Sequence, residues 1–227
     1  MARREVNQLA RALRDRLASA DHPGSLARRA RDGRWTEVLT RLPDLASLRV
    51  VDLGGTVEFW VAAPVHPVAV TVVNLEAPGA PTPEWIETVQ GDACRAVDLL
   101  NGQRFDLAFS NSTIEHVGGH ARCEEFASAV AALAPRHWIQ TPYRYFPLEP
   151  HWLFPGFQFL PAAARCEVAR RWPLGWASSR GLDVGDATSD VLATVLLGRR
   201  ELSYYFPDSE ILSERVLGVT KSLVALR

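Results

Sequence analysis

An acid followed by two glycines, at the end of an apolar run, is the segment of this 227-residue chain best suited to bind a ligand. The segment reads Val50-Val-Asp-Leu-Gly-Gly-Thr56. A buried strand here leads into a tight turn, and glycines let the backbone of such a turn approach a ligand closely. A strand-to-helix turn that holds no ligand is the alternative interpretation of the same residues.

Short apolar runs end in polar residues at three further places. In chain order, these are Val68–Leu75 with Asn74 and Glu76, Ile86–Gln90 with Asp92, and Phe105–Phe109 with Ser110 and Asn111. Ligands of doubly wound sheets bind beyond the carboxyl ends of the strands. The sequence therefore predicts that these polar side chains and the glycine turn belong to one site.

The apolar runs alternate with helical patterns, which predicts an α/β fold with a doubly wound, mostly parallel, Rossmann-like sheet. The first predicted strand is Leu48–Leu53, and the fifth is Arg136–Gln140. Helices are expected over Cys94–Leu100 and Thr113–Leu133. Two final runs, 210–217 and 219–226, are expected to form an antiparallel pair or to join the sheet edge.

Two domains are predicted from the order of these patterns. Residues 1–47 form an N-terminal helical extension with helices over 4–19 and 25–42, which either cover the site or mediate a homodimer. Residues 48–227 form the sheet domain. An aromatic and proline-rich insertion at about 142–161 interrupts it, because so many prolines exclude a central strand or a regular helix.

The composition excludes several classes of protein. The chain is 47% hydrophobic and 22% charged with a net charge of −1, which argues against disorder, a coiled coil or a collagen. Nucleic-acid binding is disfavoured because there is one lysine and no basic stripe. No apolar window reaches the length of a membrane span, and no apolar leader follows the N-terminal arginines, so we expect a cytoplasmic protein.

The ordered series of motifs resembles that of S-adenosylmethionine-dependent methyltransferases with the Rossmann-like fold, the class I enzymes. The resemblance covers residues 48–140 well and 207–227 moderately. It departs from the family's Asp/Glu-x-Gly-x-Gly-x-Gly pattern at two positions, where Thr56 and Glu58 stand in place of glycines. It also departs where Asn74 occupies the position of the acid that usually holds the ribose, with Glu76 two residues later.

The resemblance implies a role for each motif in binding S-adenosylmethionine. Asp52 orders the glycine turn and meets the amino group of the methionine moiety. The moiety is lined by Gly54, Gly55 and Thr56. Either Asn74 or Glu76 holds the ribose. The adenine is contacted by Asp92 and Ala93, and the sulfonium end by Ser110 and Asn111.

Two histidines and one acid are candidates for catalysis. His116 is the best candidate for a general base, because imidazole titrates near neutrality and the residue follows the fourth strand. Glu115 lies beside it, and His151 in the insertion is a second candidate. Packing or helix capping is the alternative role for His116. The expected residues on the acceptor side are Tyr143, Arg144, Tyr145 and Trp152, whose alternative role is core packing or a dimer surface.

The cysteines and histidines do not match an established metal pattern. His116, His120 and Cys123 are spaced so that one helix face could bring them together, but Gly118 and Gly119 make a regular helix doubtful there. We therefore predict no metal. The three cysteines form no Cys-x-x-Cys pair, and reduced buried thiols are expected.

The leading hypothesis from the sequence is methyl transfer from S-adenosylmethionine to a small molecule, with oxygen as the acceptor atom. Two alternatives stay open. One is a non-catalytic relative that keeps the fold for binding or assembly, supported by the altered glycine turn. The other is a nicotinamide oxidoreductase, which fits less well because the first turn lacks the Gly-x-Gly-x-x-Gly spacing.

Overall fold

The chain was analysed as a computed structural model that describes residues 26–77, 81–172 and 184–227. The helix predicted over 4–19 lies outside these residues. The chain divides into two compact units. The first, here called the sheet unit, consists of Glu37–Tyr143 and Val195–Arg227. The second, called the insertion unit, contains Arg144–Thr194 and the chain up to Thr36.

Helices and strands alternate through the first part of the sheet unit, as the sequence predicts. The elements are α1 Leu26–Arg41, which continues from the insertion unit, β1 Arg49–Leu53, α2 Val57–Val61, β2 Ala69–Asn74, β3 Ile86–Gln90, α3 Ala96–Leu99, β4 Leu107–Asn111, α4 His120–Leu133 and β5 Arg136–Pro142. Two short 3₁₀ turns, Ala93–Arg95 and Ile114–His116, precede α3 and α4. The helix predicted over Thr113–Leu133 is thus broken, because Gly118 and Gly119 both have φ above +100°.

The remaining elements complete both units. The insertion unit contains β6 Leu148–Glu149, β7 Phe154–Pro155, α5 Ala162–Arg171 and α6 Val184–Ala193, and the sheet unit ends with α7 Arg199–Tyr205, β8 Glu210–Val216 and β9 Val219–Leu226. Helix α6 ends at Ala193, and α7 is a separate helix that begins after Gly198.

The described strands of the sheet unit form one seven-stranded sheet in the order β3-β2-β1-β4-β5-β9-β8. The first five strands are parallel, and β9 runs antiparallel to both β5 and β8. The hairpin between β8 and β9 turns at Leu217 and Gly218, both with positive φ. The predicted doubly wound sheet and its antiparallel pair are therefore confirmed.

The core of the sheet unit lies on both faces of the sheet, because parallel strands are covered on both sides. On one face, Val51 and Ala108 pack against Phe126 and Val130 of α4. On the other face, Phe109 lies between two tryptophan rings, 5.1 Å from Trp60 and 6.4 Å from Trp138. This packing holds the carboxyl ends of β1, β2 and β4 side by side.

The insertion unit has a small core of its own, built from the aromatic run. The buried members are Trp152, Phe157, Ala169 and Val191. The proline-rich segment is irregular, as expected, apart from a two-residue antiparallel ladder between β6 and β7 that the sequence did not indicate. Among the described helices of both units, we find none with enough length and apolar character to cross a membrane.

Candidate functional site

The turn after β1 requires both of its glycines. Gly54 has φ +82°, and a Cβ there would lie 2.3 Å from the side chain of Thr113. A Cβ on Gly55 would lie 1.8 Å from Oδ2 of Asp52. The Gly54 amide donates a 2.7 Å hydrogen bond to the carbonyl of Val73 on β2. The turn therefore packs directly against a carboxyl group on one side and against a second turn on the other.

Asp52 is a buried acid at the centre of this arrangement, with 1% of its surface exposed. The indole N–H of Trp60 donates to its Oδ2 at 2.7 Å, while Oδ1 is enclosed without a hydrogen-bond partner among the described residues. Burial raises the pKa of this carboxyl to about 7, and the bond from Trp60 opposes the rise. A cationic donor beside Oδ1 would stabilise the ionised form.

Asn74 fastens the glycine turn to the end of β2. Its Nδ2 donates to the carbonyls of Gly55 at 2.7 Å and Gly54 at 3.3 Å, and its Oδ1 accepts from the amide of Glu76 at 3.0 Å. A carboxylate could not make the first two bonds because it carries no proton to donate. The departure from the family's acid at this position therefore has a structural reason.

A cleft of about 240 Å³ opens over the carboxyl ends of β1, β2 and β3. It is lined by Gly54, Val73, Asn74, Leu75, Gly91, Asp92, Ala93, Ser112, Thr113, His116, Val117 and Arg122. Five of the residues predicted from the sequence, namely Gly54, Asn74, Asp92, Ala93 and His116, meet there. A neighbouring cleft of about 210 Å³ contains Gly55, Thr56, Glu58 and Glu76. Asn74 borders both clefts, whereas Glu76 borders only the second.

Thr56 and Glu58, the two departures from the glycine pattern, belong to the start of α2. The hydroxyl of Thr56 accepts a 3.3 Å hydrogen bond from the amide of Phe59 and so caps the helix. Glu58 is exposed in the first turn of the helix, where a negative charge is favourable. Both departures from the glycine pattern are therefore explained by the start of α2.

At the end of β4, the two predicted residues differ in their surroundings. Ser110 is fully buried, and its hydroxyl donates a 2.7 Å hydrogen bond to the carbonyl of Leu53 on β1. The amide group of Asn111 is enclosed, and neither of its polar atoms has a hydrogen-bond partner among the described residues. Ser110 thus joins β4 to β1, while Asn111 retains unused hydrogen-bonding capacity at the carboxyl edge of the sheet.

The carboxylate of Asp92 is held from two sides at the far end of the larger cleft. Its Oδ1 accepts a 2.9 Å hydrogen bond from the amide of Cys94, and its Oδ2 pairs with the guanidinium of Arg122. Burial alone would raise the pKa of Asp92, but the Cys94 bond and the Arg122 charge outweigh it and lower the pKa. Asp92 is therefore an ionised acceptor at neutral pH.

The adjacent catalytic candidates Glu115 and His116 lie in different surroundings. His116 is exposed and lines the larger cleft. Glu115 is fully buried, and its Oε2 accepts a 2.9 Å hydrogen bond from the hydroxyl of Thr141 on β5. The 3₁₀ turn therefore presents the histidine to the cleft and inserts the acid into the protein interior.

His120 and Cys123, considered with His116 as metal ligands, have other partners. His120 Nδ1 is hydrogen-bonded to the hydroxyl of Tyr205. The Cys123 thiol faces the carbonyl of Ile114 at 3.5 Å. Burial raises the pKa of this thiol to about 11, so that it is protonated at neutral pH. Cys94 and Cys123 are buried free thiols, as predicted, and Cys166 is partly exposed.

The insertion unit holds the third catalytic candidate in a carboxylate–histidine pair. His151 Nδ1 donates to Oε1 of Glu149 at 2.6 Å, and the amide of Trp152 donates to Oε2 at 2.7 Å. Both members of the pair are buried. A carboxylate bound to Nδ1 fixes the orientation of an imidazole.

The four predicted acceptor-side residues differ in their surroundings. Trp152 is 2% exposed and stacks on Phe157 at 5.2 Å, so it belongs to the core of the insertion unit. Tyr145 is 58% exposed and stacks on Phe159 at 6.0 Å. The carbonyl of Arg144 accepts a 2.8 Å hydrogen bond from Gln158. Tyr143 ends the first segment of the sheet unit and bridges to Leu197.

Seven of the twelve residues that line the larger cleft were not predicted as site residues, and Leu75 and Arg122 are two of them. Leu75 is an apolar side chain with 71% of its surface exposed, directly after the polar end of β2. Its position directly after a predicted strand could have indicated that it lines the site. Arg122 lies on α4, and no local pattern distinguishes it from the many other arginines of the chain.

Several solved structures share this architecture. One is a protein of Listeria monocytogenes described as an S-adenosylmethionine-dependent methyltransferase (12% identity over 86% of this chain and 97% of that one, TM-score 0.55). The fold is that of the class I methyltransferases. No protein-family model matches the sequence, and no curated protein does.

Two further methyltransferase-like neighbours were solved with bound S-adenosylhomocysteine. The complex of DhpI with this ligand is 16% identical over 97% of this chain and 93% of that one, with a TM-score of 0.53. The 1,6-didemethyltoxoflavin-N1-methyltransferase of Burkholderia thailandensis is 16% identical over 96% and 88%, with a TM-score of 0.50. At such identities, the likeness establishes the methyltransferase fold of this chain.

Proposed function

We propose that this protein transfers the methyl group of S-adenosylmethionine to a small molecule, with an oxygen of that molecule as the acceptor. The observation that carries the proposal is the cleft over the glycine turn of a methyltransferase fold, which brings Gly54, Asn74, Asp92 and His116 together. Ligands of such sheets bind at the carboxyl ends of the strands. The neighbours solved with S-adenosylhomocysteine support the choice of cofactor.

The residues present fit this cofactor by their own chemistry. Asp52 offers an enclosed acceptor without a partner among the described residues, which suits the amino group of the methionine moiety. Gly54 and Gly55 let the turn pack closely against Thr113 and Asp52, which a Cβ at either position would prevent. Leu75 offers an apolar surface to the adenine, and Asp92 offers an acceptor to its amino group. When bound, the cofactor supplies an electrophilic methyl group on a sulfonium.

Asn74 is the residue we propose for the ribose. Its carbonyl oxygen accepts one bond from the Glu76 amide and has a second lone pair for a ribose hydroxyl. Glu76 is less well placed, since its side chain borders the neighbouring cleft with Thr56 and Glu58. We therefore propose Asn74 rather than Glu76, the other residue that the sequence offered for this role.

His116 is proposed as the general base. Bound S-adenosylmethionine would supply its methyl group to the acceptor oxygen. The proton of the acceptor hydroxyl passes to the imidazole of His116. Proton transfer by a positioned side chain contributes about 10²–10⁴-fold to a rate. In-line placement of the reacting atoms contributes the larger part of methyl transfer.

Calorimetric titration with S-adenosylmethionine and S-adenosylhomocysteine tests the cofactor, with NAD and NADP as controls. Micromolar binding of the two adenosyl ligands alone is the expected result. Binding of the nicotinamide cofactors instead would replace the proposal with an oxidoreductase. Binding of none of the four would favour a non-catalytic relative, the reading that the altered glycine turn at Thr56 and Glu58 supports.

His116→Gln tests the base once an acceptor has been found among hydroxylated small molecules. We expect kcat to fall at least about 100-fold while the affinity for S-adenosylhomocysteine is unchanged. The matched control is His66→Gln, because His66 is an exposed histidine of the same unit that stacks on Trp85 away from the cleft. Full activity of His116→Gln would remove the histidine from the mechanism.

A further inference from the structure

We infer that Arg122 is a positioning residue that makes the cleft select a purine with a 6-amino group over one with a 6-oxo group, by fixing the carboxylate of Asp92. The inference rests on the proposed function and extends it to a residue that no sequence motif singles out. It concerns the end of the larger cleft that Asp92, Ala93 and Leu75 line.

The guanidinium of Arg122 joins three separate parts of the sheet unit. One terminal nitrogen pairs with Asp92 after β3, and the other pairs with Glu125 one turn later on α4. The Nε–H donates a 3.3 Å hydrogen bond to the carbonyl of Val117, in the turn before α4. With three directions fixed, the planar fork has little freedom to release the carboxylate.

Asp92 is fixed from its other side as well. Its Oδ1 accepts from the Cys94 amide at 2.9 Å, which anchors the carboxylate to the 3₁₀ turn after β3. Each oxygen keeps a further lone pair for a ligand donor. The carboxylate is therefore an oriented group that accepts hydrogen bonds and donates none while it stays ionised.

This state of Asp92 decides which purine edge the cleft can accept. A 6-amino group donates a hydrogen bond to the carboxylate. A 6-oxo group would place a second acceptor against it, and two facing acceptors repel. A site built to bond a donor discriminates strongly against an analogue without one. Without Arg122, the carboxylate of Asp92 would turn more freely and would take up a proton at a higher pH, and a protonated carboxyl can donate to a 6-oxo group.

The test is calorimetric titration of the whole protein with S-adenosylhomocysteine and its inosine analogue, S-inosylhomocysteine. The wild type is expected to bind the adenosyl ligand at least about tenfold more tightly, equal to about 1.4 kcal/mol. Arg122→Met should reduce this ratio to below about threefold, with the change growing as the pH is lowered from 8 to 5. Arg122→Lys, which keeps one charge near Asp92, should restore part of the ratio.

Arg95→Met is the matched control, because Arg95 is an exposed arginine paired with Asp98 on the groove outside the cleft. It should leave the ratio of affinities unchanged. A ratio in Arg122→Met equal to that of the wild type would overturn the inference while the proposed function stands. If Arg122→Met lost affinity for both ligands by the same factor, the inference would also be overturned, because the role of Arg122 would then be purely structural. A wild type that binds neither ligand would refute the proposed function and this inference with it.

Discussion

Replacement of Asn74 by aspartate is the most informative single change in the cleft, because it restores the residue type that the methyltransferase family usually has there. In this protein, the side-chain amide donates to the carbonyls of Gly55 and Gly54 at 2.7 and 3.3 Å. Asn74→Asp removes both donors and sets a charged oxygen against two carbonyl oxygens. The change adds no volume, so its effect isolates these hydrogen bonds.

The expected cost follows from the two bonds that are lost. A half-buried acceptor left without its donor costs about 1–3 kcal/mol, so we expect the free energy of unfolding to fall by about 2–3 kcal/mol at pH 8. The introduced carboxyl should have a raised pKa, because its neutral form can donate one bond. Its folded-state pKa then exceeds its unfolded-state pKa, so the loss of stability should grow as the pH rises from 4 to 8.

Urea unfolding followed by tryptophan fluorescence measures this cost, with Asn101→Asp as the matched control. Asn101 is an exposed asparagine in the turn after α3, with φ +51°, a conformation that aspartate tolerates well. Asn101→Asp introduces the same charge away from the glycine turn. The reasoning would be refuted if Asn74→Asp were no less stable than Asn101→Asp at pH 8, or if it bound S-adenosylhomocysteine more tightly than the wild type.

Three further changes test other parts of the structure. Gly55→Ala should lower the free energy of unfolding by about 1–3 kcal/mol in urea, because its Cβ would lie 1.8 Å from Oδ2 of Asp52. Gly33→Ala, at an exposed position of α1, should instead raise the free energy of unfolding by up to about 1 kcal/mol. Equal effects of the two substitutions would contradict this account of the turn. In Asp52→Asn, the free energy of unfolding should fall by up to about 3 kcal/mol as the pH is lowered from 6.5 to 4. The reason is His137, whose pKa burial lowers to about 4, so that over this range the unfolded state takes up a proton that the folded state does not. In the wild type, the pKa of about 7 at Asp52 offsets this effect, since the folded state then holds a proton that the unfolded state has lost. If the free energy of unfolding changed with pH in the same way in the wild type and in Asp52→Asn, this prediction would be wrong. Gln158→Leu should lower the free energy of local opening, measured by hydrogen exchange of the amides in 144–160, by about 1–2 kcal/mol. The reason is that the side chain of Gln158 donates to two carbonyls at 2.8 Å, and unchanged exchange rates would exclude that role.

Much of the fold followed from local patterns along the chain. The run Val50–Thr56 predicted a strand and a tight turn, because buried strands are continuous in apolar residues and glycine permits positive φ. The final two runs predicted an antiparallel pair or an antiparallel addition to the sheet edge, and β8 and β9 form both. Strand ends were less accurate, and β4 begins at Leu107 rather than at Phe105.

The polar residues at the strand ends were predicted as a set, but their individual partners were not. Asp92, Asn74 and His116 share one cleft because the carboxyl ends of parallel strands meet at one edge. Ser110 was expected near the ligand as well, and the sequence did not indicate that its hydroxyl donates to the carbonyl of Leu53 on β1. A sequence gives the end of a strand, whereas the neighbouring strand decides what a side chain there can reach.

The sequence by itself determined that this chain forms a methyltransferase-like sheet with a glycine turn after its first strand, because strand, turn and helix signals are local. Only the tertiary structure decided how that turn is held. Gly54 is confined by Thr113, and elsewhere in the same cleft Asp92 is fixed by Arg122, thirty residues away. These contacts join segments that are distant in sequence, and no local spacing of residues encodes which of them will touch.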